Sequence, residues 1–467
     1  MRSYFSRIAF AVACLWLFVS AAAQTTGPKP VKREADLLEL VKLDKTIKLD
    51  VRYARSDNFV GKPVYSEARA FLQRPAAEAL VRVHKRLKTD GFGLTIFDGY
   101  RPWSVTKLFW DVTPDDKRIY VANPKTGSRH NRGCAVDLSM YDRKTGKLVP
   151  MPSDFDEFTE RASPNYKGGS VEERRNRDLL RKAMEAEGFT VNSNEWWHFD
   201  YKDWQSYAIY DISFDDAGSL GRAPKKPSVK LEPDWKRFFD DAGITGGAYV
   251  YDLRSNRYHV YDKERFDRAY SPASTSKIIH SLIFLDSEVL KNEKEVLVWD
   301  GTKYDVEGWN RDQDLRSAFK VSAVWFYLNV SRRLTREQMQ VYYDAAQYGN
   351  RSTKGFGDAY WVNGEIAITP RQQIEFLVKL HGNRLPFSPQ VIDVVKGMMV
   401  EEKTAGYILR AKTGWSDAYS PQVGWWVGYV ERKDNVYFFA TELDMKSGDG
   451  PKRKEVTRAI LKGLGII

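Results

Sequence analysis

The chain is predicted to be α+β and to fold as two domains, and three observations carry that prediction. Its 467 residues exceed what one ordinary hydrophobic core organises. Strand-like and helix-like stretches do not alternate regularly, which argues against a doubly wound sheet. Between the two halves, Arg222-Ala-Pro-Lys-Lys-Pro-Ser-Val-Lys230 breaks all periodicity and reads as a linker. The expected layout is a leader at 1–23, a first domain at 36–205, a linker at 206–232 and a second domain at 233–467.

The leader has a basic flank to Arg7, an apolar run from Ile8 to Val19, and Ala21-Ala22-Ala23 before Gln24. This pattern predicts a secretory signal peptide and a periplasmic protein. The run is too short to span a bilayer, and no later stretch approaches about 18 uninterrupted apolar residues, so no transmembrane anchor is expected. Beyond the leader only Cys134 remains, which excludes a disulfide within the chain and suggests a small buried thiol. A hydrophobic content of 42% and a charged content of 29% are those of a soluble globular protein. The net charge of +11 comes without a basic-aromatic stripe, so nucleic acid is not an expected partner. It predicts a solvated basic surface, favourable towards anionic cell-wall material such as peptidoglycan.

In the first half, Ile47-Lys-Leu-Asp-Val-Arg-Tyr53 alternates like a strand. Pro75 opens a helix with Ala79, Leu80, Val83 and Leu87 on one face, closed by Asp90-Gly91. Leu94 to Phe97 is a strand running into Asp98-Gly-Tyr-Arg-Pro102, Ala135 to Ser139 is another, and Val171 to Glu187 is a helix stopped by Gly188. In the second half, two strands flank the Ser255-Asn256 turn as a hairpin. A helix follows Ser274, and Thr335 and Thr369 open helices with capping boxes. Val423 to Val430 and Asn435 to Leu443 are adjacent strands before a closing helix from Lys454 to Leu464. A sheet with helices before and after its last strands suits a layered, serine β-lactamase-like fold.

Chemistry-bearing residues cluster once in each half. Catalytic zinc sites take three protein ligands and leave one position open. His130, Asp137 and His198 can supply that set, and Glu195 is a carboxylate that could take a proton from water and return it to a leaving amine. Glu195 and His198 share a face on a helix but not on a regular strand, so their local geometry stays open. The stretches Leu49-Asp-Val-Arg-Tyr-Ala54, Asp57-Asn-Phe-Val-Gly61, Asp98-Gly-Tyr-Arg-Pro102, Ser128-x-His-x-x-Gly-x-Ala-Val-Asp137 and Glu195-Trp-Trp-His198 together resemble the VanX-type D-alanyl-D-alanine dipeptidases. The resemblance implies a zinc α+β peptidase that takes the free D-Ala-D-Ala dipeptide. It implies one Zn2+ held by His130, Asp137 and His198, with Glu195 as base. It further implies Arg101 as the cation stabilising the oxyanion, and Ser128 as a hydrogen-bonder to substrate.

The second half carries Ser274-Thr-Ser-Lys277, then Ser322-Ala-Val324, then Lys412-Thr-Gly414. One helical turn separates Ser274 from Lys277, which puts hydroxyl and amine on one face. The ordered triplet is the signature of active-site-serine enzymes that recognise penicillins. With Tyr348-Gly-Asn350, Tyr360-Trp-Val-Asn-Gly364 and Gly424-Trp-Trp-Val-Gly-Tyr429, it resembles the class D (oxacillinase-type) β-lactamases and the related penicillin-sensor domains. That resemblance implies Ser274 as the acylated nucleophile, Lys277 carboxylated by CO2 as base, and Ser322 as proton relay. It assigns the β-lactam carboxylate to Lys412 and Thr413 with help from Arg453, and the oxyanion hole to the backbone N–H groups of Ser274 and Trp415. Burial beside Val324 and Trp361 is expected to keep Lys277 neutral. Ser276 departs from the family pattern, which has Phe before the lysine. Alternatives for this half are a sensor that acylates without turnover and a D,D-carboxypeptidase.

Overall fold

The computed structural model describes residues 32–157, 159–220 and 226–467. The expected leader and residues 221–225 of the expected linker lie outside the described residues. No described helix is long and apolar enough to cross a membrane.

The first domain is built on a five-stranded sheet of order β2-β4-β5-β7-β6. Its strands are β2 (Lys48–Leu49), β4 (Phe92–Asp98), β5 (Ala135–Asp142), β6 (Phe189–Val191) and β7 (His198–Tyr201). Apart from the parallel β2–β4 pair, its neighbours run antiparallel. A small ladder, β1 (Leu37–Glu39) with β3 (Phe71–Gln73), stands beside it. The helix Arg74–Thr89 forms where the spacing predicted and buries Ala76, Ala79, Leu80, Val83 and Leu87. Each of the larger side chains contributes roughly 1.5–3 kcal/mol by leaving water. The helix Val171–Glu185 starts at a Ser170/Glu173 capping box. His84 is an internal strut: Thr46 Oγ1 lies 2.8 Å from its Nε2, and its Nδ1 accepts the Leu94 N–H at 3.1 Å. Burial pushes its pKa down to about 4, so it is neutral.

Described residues on both sides of positions 221–225 are ordered into elements or packed. Tyr207, Ala208, Tyr210, Ile212, Phe214 and Ala217 are buried in the first core, and the Tyr210 N–H donates to Asn131 O at 2.9 Å. Beyond the described gap, β8 (Ser228–Leu231) pairs in parallel with β10 (Arg257–Tyr261). Aromatic residues at irregular spacing leave no period to read, yet each fills its own place in the core.

The second domain is layered around a seven-stranded sheet of order β11-β12-β13-β14-β9-β10-β8. Its remaining strands are β9 (Thr245–Asp252), β11 (Val400–Lys403), β12 (Ile408–Ser416), β13 (Gln422–Glu431) and β14 (Val436–Met445). Lys236–Ala242 and the closing helix Lys452–Gly463 cover one face through Phe239, Val456, Ile460 and Leu461. The other face carries a helical layer with a larger core, including Ile279, Leu282, Phe326, Tyr343, Trp361 and Leu377. The Thr335 and Thr369 capping boxes both form. The α+β, two-domain prediction holds.

Candidate active sites

Strand register assembles the first site. Asp98 on β4 stands opposite Asp137 on β5, and Asp137 stands opposite His198 on β7. One row across three strands thus gathers residues far apart in the chain. His130 reaches the same point from a 3-10 turn, His130–Arg132, just before β5. His130 Nε2 lies 3.2 Å from His198 Nδ1 and 3.4 Å from Asp137 Oδ2, and His198 Nδ1 lies 3.0 Å from Asp137 Oδ1. Separations of this size are those between donors that share one zinc ion at about 2 Å each. The outward nitrogens are fixed as well. His130 Nδ1 donates to Gly99 O at 2.7 Å, and His198 Nε2 donates to Asp200 Oδ1 at 3.0 Å. Asp200 in turn pairs with Arg129 at 2.9 Å. Each ring therefore turns its lone pair inward, so the residues present fit a zinc ion.

Glu195 reaches this centre through a turn. The His198 N–H donates to Glu195 O at 3.3 Å, closing a tight turn over Trp196 and Trp197, both buried. That turn, neither helix nor strand, brings Glu195 Oε2 to 3.8 Å from His198 Nδ1. Burial pushes the Glu195 carboxyl above the usual range, and Asn192 Nδ2 donates to it at 3.1 Å. Arg101 is buried, with Nη2 2.7 Å from Asp98 Oδ2 and 4.0 Å from Asp137 Oδ2. Tyr53 and Phe109 stack on its guanidinium at 5.3 and 4.9 Å. Ser128 lines the cavity and accepts the His130 N–H at 3.2 Å. Arg101, Ser128, His130, Asp137, Glu195 and His198 all face one cavity of about 470 Å³.

Asp156 lines the same cavity and escaped the sequence reading. It accepts from Tyr53 Oη at 3.0 Å and adopts a positive φ of 61°. Burial and the nearby Asp137 charge push its pKa up to about 8. It sits in an aperiodic loop with no motif of its own, so no pattern marked it.

In the second domain, Ala273–Ser276 is a 3-10 turn leading into the helix Lys277–Asp286. Lys277 Nζ lies 3.0 Å from Ser274 Oγ, with the lysine fully buried and the serine at the surface limit of the core. Ser322 caps the helix Leu315–Val321 in the left-handed region at φ 60°, and Ala273 has φ 47°. Such strain concentrates at functional sites. Lys412 Nζ donates to Ser322 Oγ at 2.5 Å. Gly414 is required by close approach: a Cβ there would lie 2.9 Å from Pro272 O and 3.2 Å from Thr275 N. Without a side chain there, β12 runs directly against the turn Ala273–Ser276 that carries Ser274. Arg453 Nη1 donates to Gly414 O at 2.6 Å and its guanidinium lies 5.5 Å from the Trp415 ring. Arg453 thus braces the strand that carries Lys412 and Thr413. Ser276 is fully buried and its hydroxyl donates to Ala273 O at 2.7 Å.

The surroundings of Lys277 disfavour its charged form. Burial, reinforced by Lys412, holds its pKa well below the usual lysine range. Lys412 is itself pushed down to about 7 by burial and by Arg453. Val324 opens the helix Val324–Ser331, which packs on the Lys277 helix. Tyr327, absent from the sequence reading, presents its ring 4.9 Å from Lys277 Nζ. Trp361 is fully buried and packs on His280 at 4.7 Å. Its Nε1 has no hydrogen-bond partner among the described residues. A buried donor left without a partner costs stability unless an acceptor reaches it.

The family model for D-Ala-D-Ala dipeptidases matches residues 33–216, and the model for the penicillin-binding-protein transpeptidase domain matches residues 245–462. β-Lactamase OXA-48 of Klebsiella pneumoniae is 39% identical over 234 residues, covering 50% of this chain and 88% of the relative. The class D β-lactamase from Sebaldella termitidis is 35% identical with a TM-score of 0.50, covering 52% of this chain and 100% of that structure. The C-terminal domain of the Bacillus licheniformis BlaR penicillin-receptor is 31% identical with a TM-score of 0.50, covering 52% of this chain and 100% of that domain. Through its second half the chain belongs to the class D β-lactamase family, and that half follows a segment matching the D-Ala-D-Ala dipeptidase family model.

Proposed function

We propose that this is a bifunctional periplasmic hydrolase that cleaves the free D-Ala-D-Ala dipeptide in one domain and hydrolyses β-lactams in the other. The dipeptidase reading rests on the His130/Asp137/His198 cluster flanked by Glu195 and Arg101. A zinc ion bound there supplies Lewis-acid activation of water and of the scissile carbonyl. Glu195 takes the proton of the attacking water and passes it to the leaving amine. Arg101, held by Asp98 and stacked between two rings, offers its charge to the developing oxyanion. Asp156 faces the cavity as the partner for the dipeptide's ammonium, whose charge would hold the carboxylate ionised.

The β-lactamase reading rests on the neutral, buried Lys277 at 3.0 Å from Ser274 Oγ. CO2 adds to the lysine amine, forming an N–C bond and releasing the amine proton. The carboxylated lysine would be an anionic base, and the partnerless Trp361 Nε1 would be a donor for it. Ser274 then loses its proton as it attacks the lactam carbonyl, Ser322 and Lys412 pass a proton towards the lactam nitrogen, and the same base activates the deacylating water. The likeness to the BlaR penicillin-receptor domain supports a second reading, in which Ser274 acylates without turnover. Nitrocefin separates them: steady-state hydrolysis is expected, and a burst that stops at one equivalent per chain would establish the sensor. Secretion follows from the leader pattern, and export with leader cleavage before Gln24 is checked by N-terminal sequencing of periplasmic protein.

A further inference from the structure

The two domains touch at the wall of the dipeptidase cavity. Pro124 O receives two donors, Trp103 Nε1 at 2.9 Å from its own domain and Gln390 Nε2 at 2.8 Å from the other. Pro124 belongs to the segment whose residues Val121, Ala122 and Thr126 to Arg129 line the cavity and lead directly into His130. Trp103 lies two residues after Arg101 and opens the helix Trp103–Val112. A second inter-domain bond, from Asn383 Nδ2 to Asp211 O at 3.3 Å, meets the residue whose carboxylate caps Ser104 N at 2.9 Å. The second domain therefore grips both flanks of the post-Arg101 helix start.

On its other side this contact is rigidly mounted. Gln390 lies in the first turn of the helix Pro389–Met398, which packs against Lys277–Asp286. Ser388, the cap of that helix, donates its N–H to Asp286 Oδ1 at 3.2 Å. The same helix pair thus carries Lys277 at one end and, through Gln390, touches the dipeptidase wall at the other.

We propose that Gln390 is a positioning residue for the dipeptidase, holding the 121–129 wall through Pro124 O although it belongs to the β-lactamase domain. The inference rests on the dipeptidase reading above. Gln390 touches no reacting atom, so its loss should weaken substrate binding while sparing the chemical step. The test uses the full chain. Gln390→Glu keeps the shape and removes the donor, whereas Gln390→Lys keeps a long donor. Gln390→Glu is expected to raise KM for D-Ala-D-Ala roughly three- to tenfold, the scale of one hydrogen bond, with kcat within about twofold. Gln390→Lys should restore the wild-type KM, and nitrocefin turnover should stay unchanged in both. Hydrogen exchange is the readout independent of activity: amides of 121–129 should exchange faster in Gln390→Glu than in wild type. An unchanged KM with unchanged exchange, or a KM raised equally by Gln390→Lys, would overturn the proposal. If the wild-type chain cleaves no dipeptide, the dipeptidase reading fails, and exchange at 121–129 still decides whether Gln390 holds the wall.

Discussion

Asp137 and His198 are register partners across β5 and β7, and their facing atoms lie 3.0 Å apart. An antiparallel pair puts directly opposed side chains on one face, so a shift of one residue would turn one of them to the other side of the sheet. The metal centre thus depends on a ladder as much as on its ligands. Zinc removal by a chelator is expected to abolish D-Ala-D-Ala cleavage and leave nitrocefin hydrolysis intact. Glu195→Ala should retain zinc by metal analysis yet lose about 10²- to 10⁴-fold in kcat, the scale of general acid–base catalysis. Full dipeptide cleavage by zinc-free protein would refute the site.

Asp200 touches no substrate, yet it fixes which nitrogen of His198 faces inward. Asp200→Ala should weaken zinc affinity by about 10- to 100-fold, read by competition with a chromogenic chelator. Equal affinity in the variant would show that the turn and the ladder alone orient the ring.

The first site shows what a sequence can and cannot disclose. His130, Asp137, Glu195, His198 and Arg101 are legible because catalysis restricts residue type and motifs preserve short spacing. Their meeting point is not, because the Asp98–Asp137–His198 row is a long-range register with no local signature. The Glu195–His198 geometry stayed open for the same reason: a turn anchored by two buried tryptophans satisfies the spacing without helix or strand. Asp156 and Tyr327 went unseen since neither sits in a repeat or motif, and their roles arise only from what packs beside them. Tyr207, Tyr210, Ile212 and Phe214 bury without period, so no repeat in the sequence marks their packing.

A complete motif set on each side of the expected linker, with a separate core in each half, predicts separable domains. Halves expressed separately, divided near Lys226, should each fold and keep their own activity. The first half, lacking Gln390, should show the raised KM expected of Gln390→Glu. Folded halves that had both lost activity would indicate a catalytic group shared across the interface.

Asp156 makes a specific claim about substrate recognition. Asp156→Asn removes the negative charge but keeps size and the Tyr53 contact. It should raise KM for D-Ala-D-Ala at least tenfold, since a hydrogen bond to a charged group is worth about 1.5–3 kcal/mol. An N-acetylated dipeptide, which has no ammonium, should discriminate little between variant and wild type. Equal loss on both substrates would mean that Asp156 shapes the cavity and does not read the ammonium.

Lys277 provides the sharpest pH prediction. Its folded-state pKa is depressed, mainly by burial and then by Lys412, which favours the neutral amine that CO2 needs. Lowering the pH works against carboxylation twice, by protonating the amine and by decomposing the carbamate. β-Lactam turnover should therefore fall on the acid side, and added bicarbonate should recover it. Loading with 13C-bicarbonate should give a carbamate carbon signal that disappears in Lys277→Ala. Trp361→Phe removes the unpartnered Nε1 donor with little loss of ring volume. It should weaken CO2 retention and slow deacylation more than acylation, so that acyl-enzyme accumulates after a nitrocefin burst. Bicarbonate should partly rescue Trp361→Phe, because higher CO2 offsets weaker retention by mass action. Turnover that is independent of bicarbonate, with no carbamate signal in wild type, would eliminate this mechanism. Rapid acylation without turnover at saturating bicarbonate would instead assign the second domain to sensing.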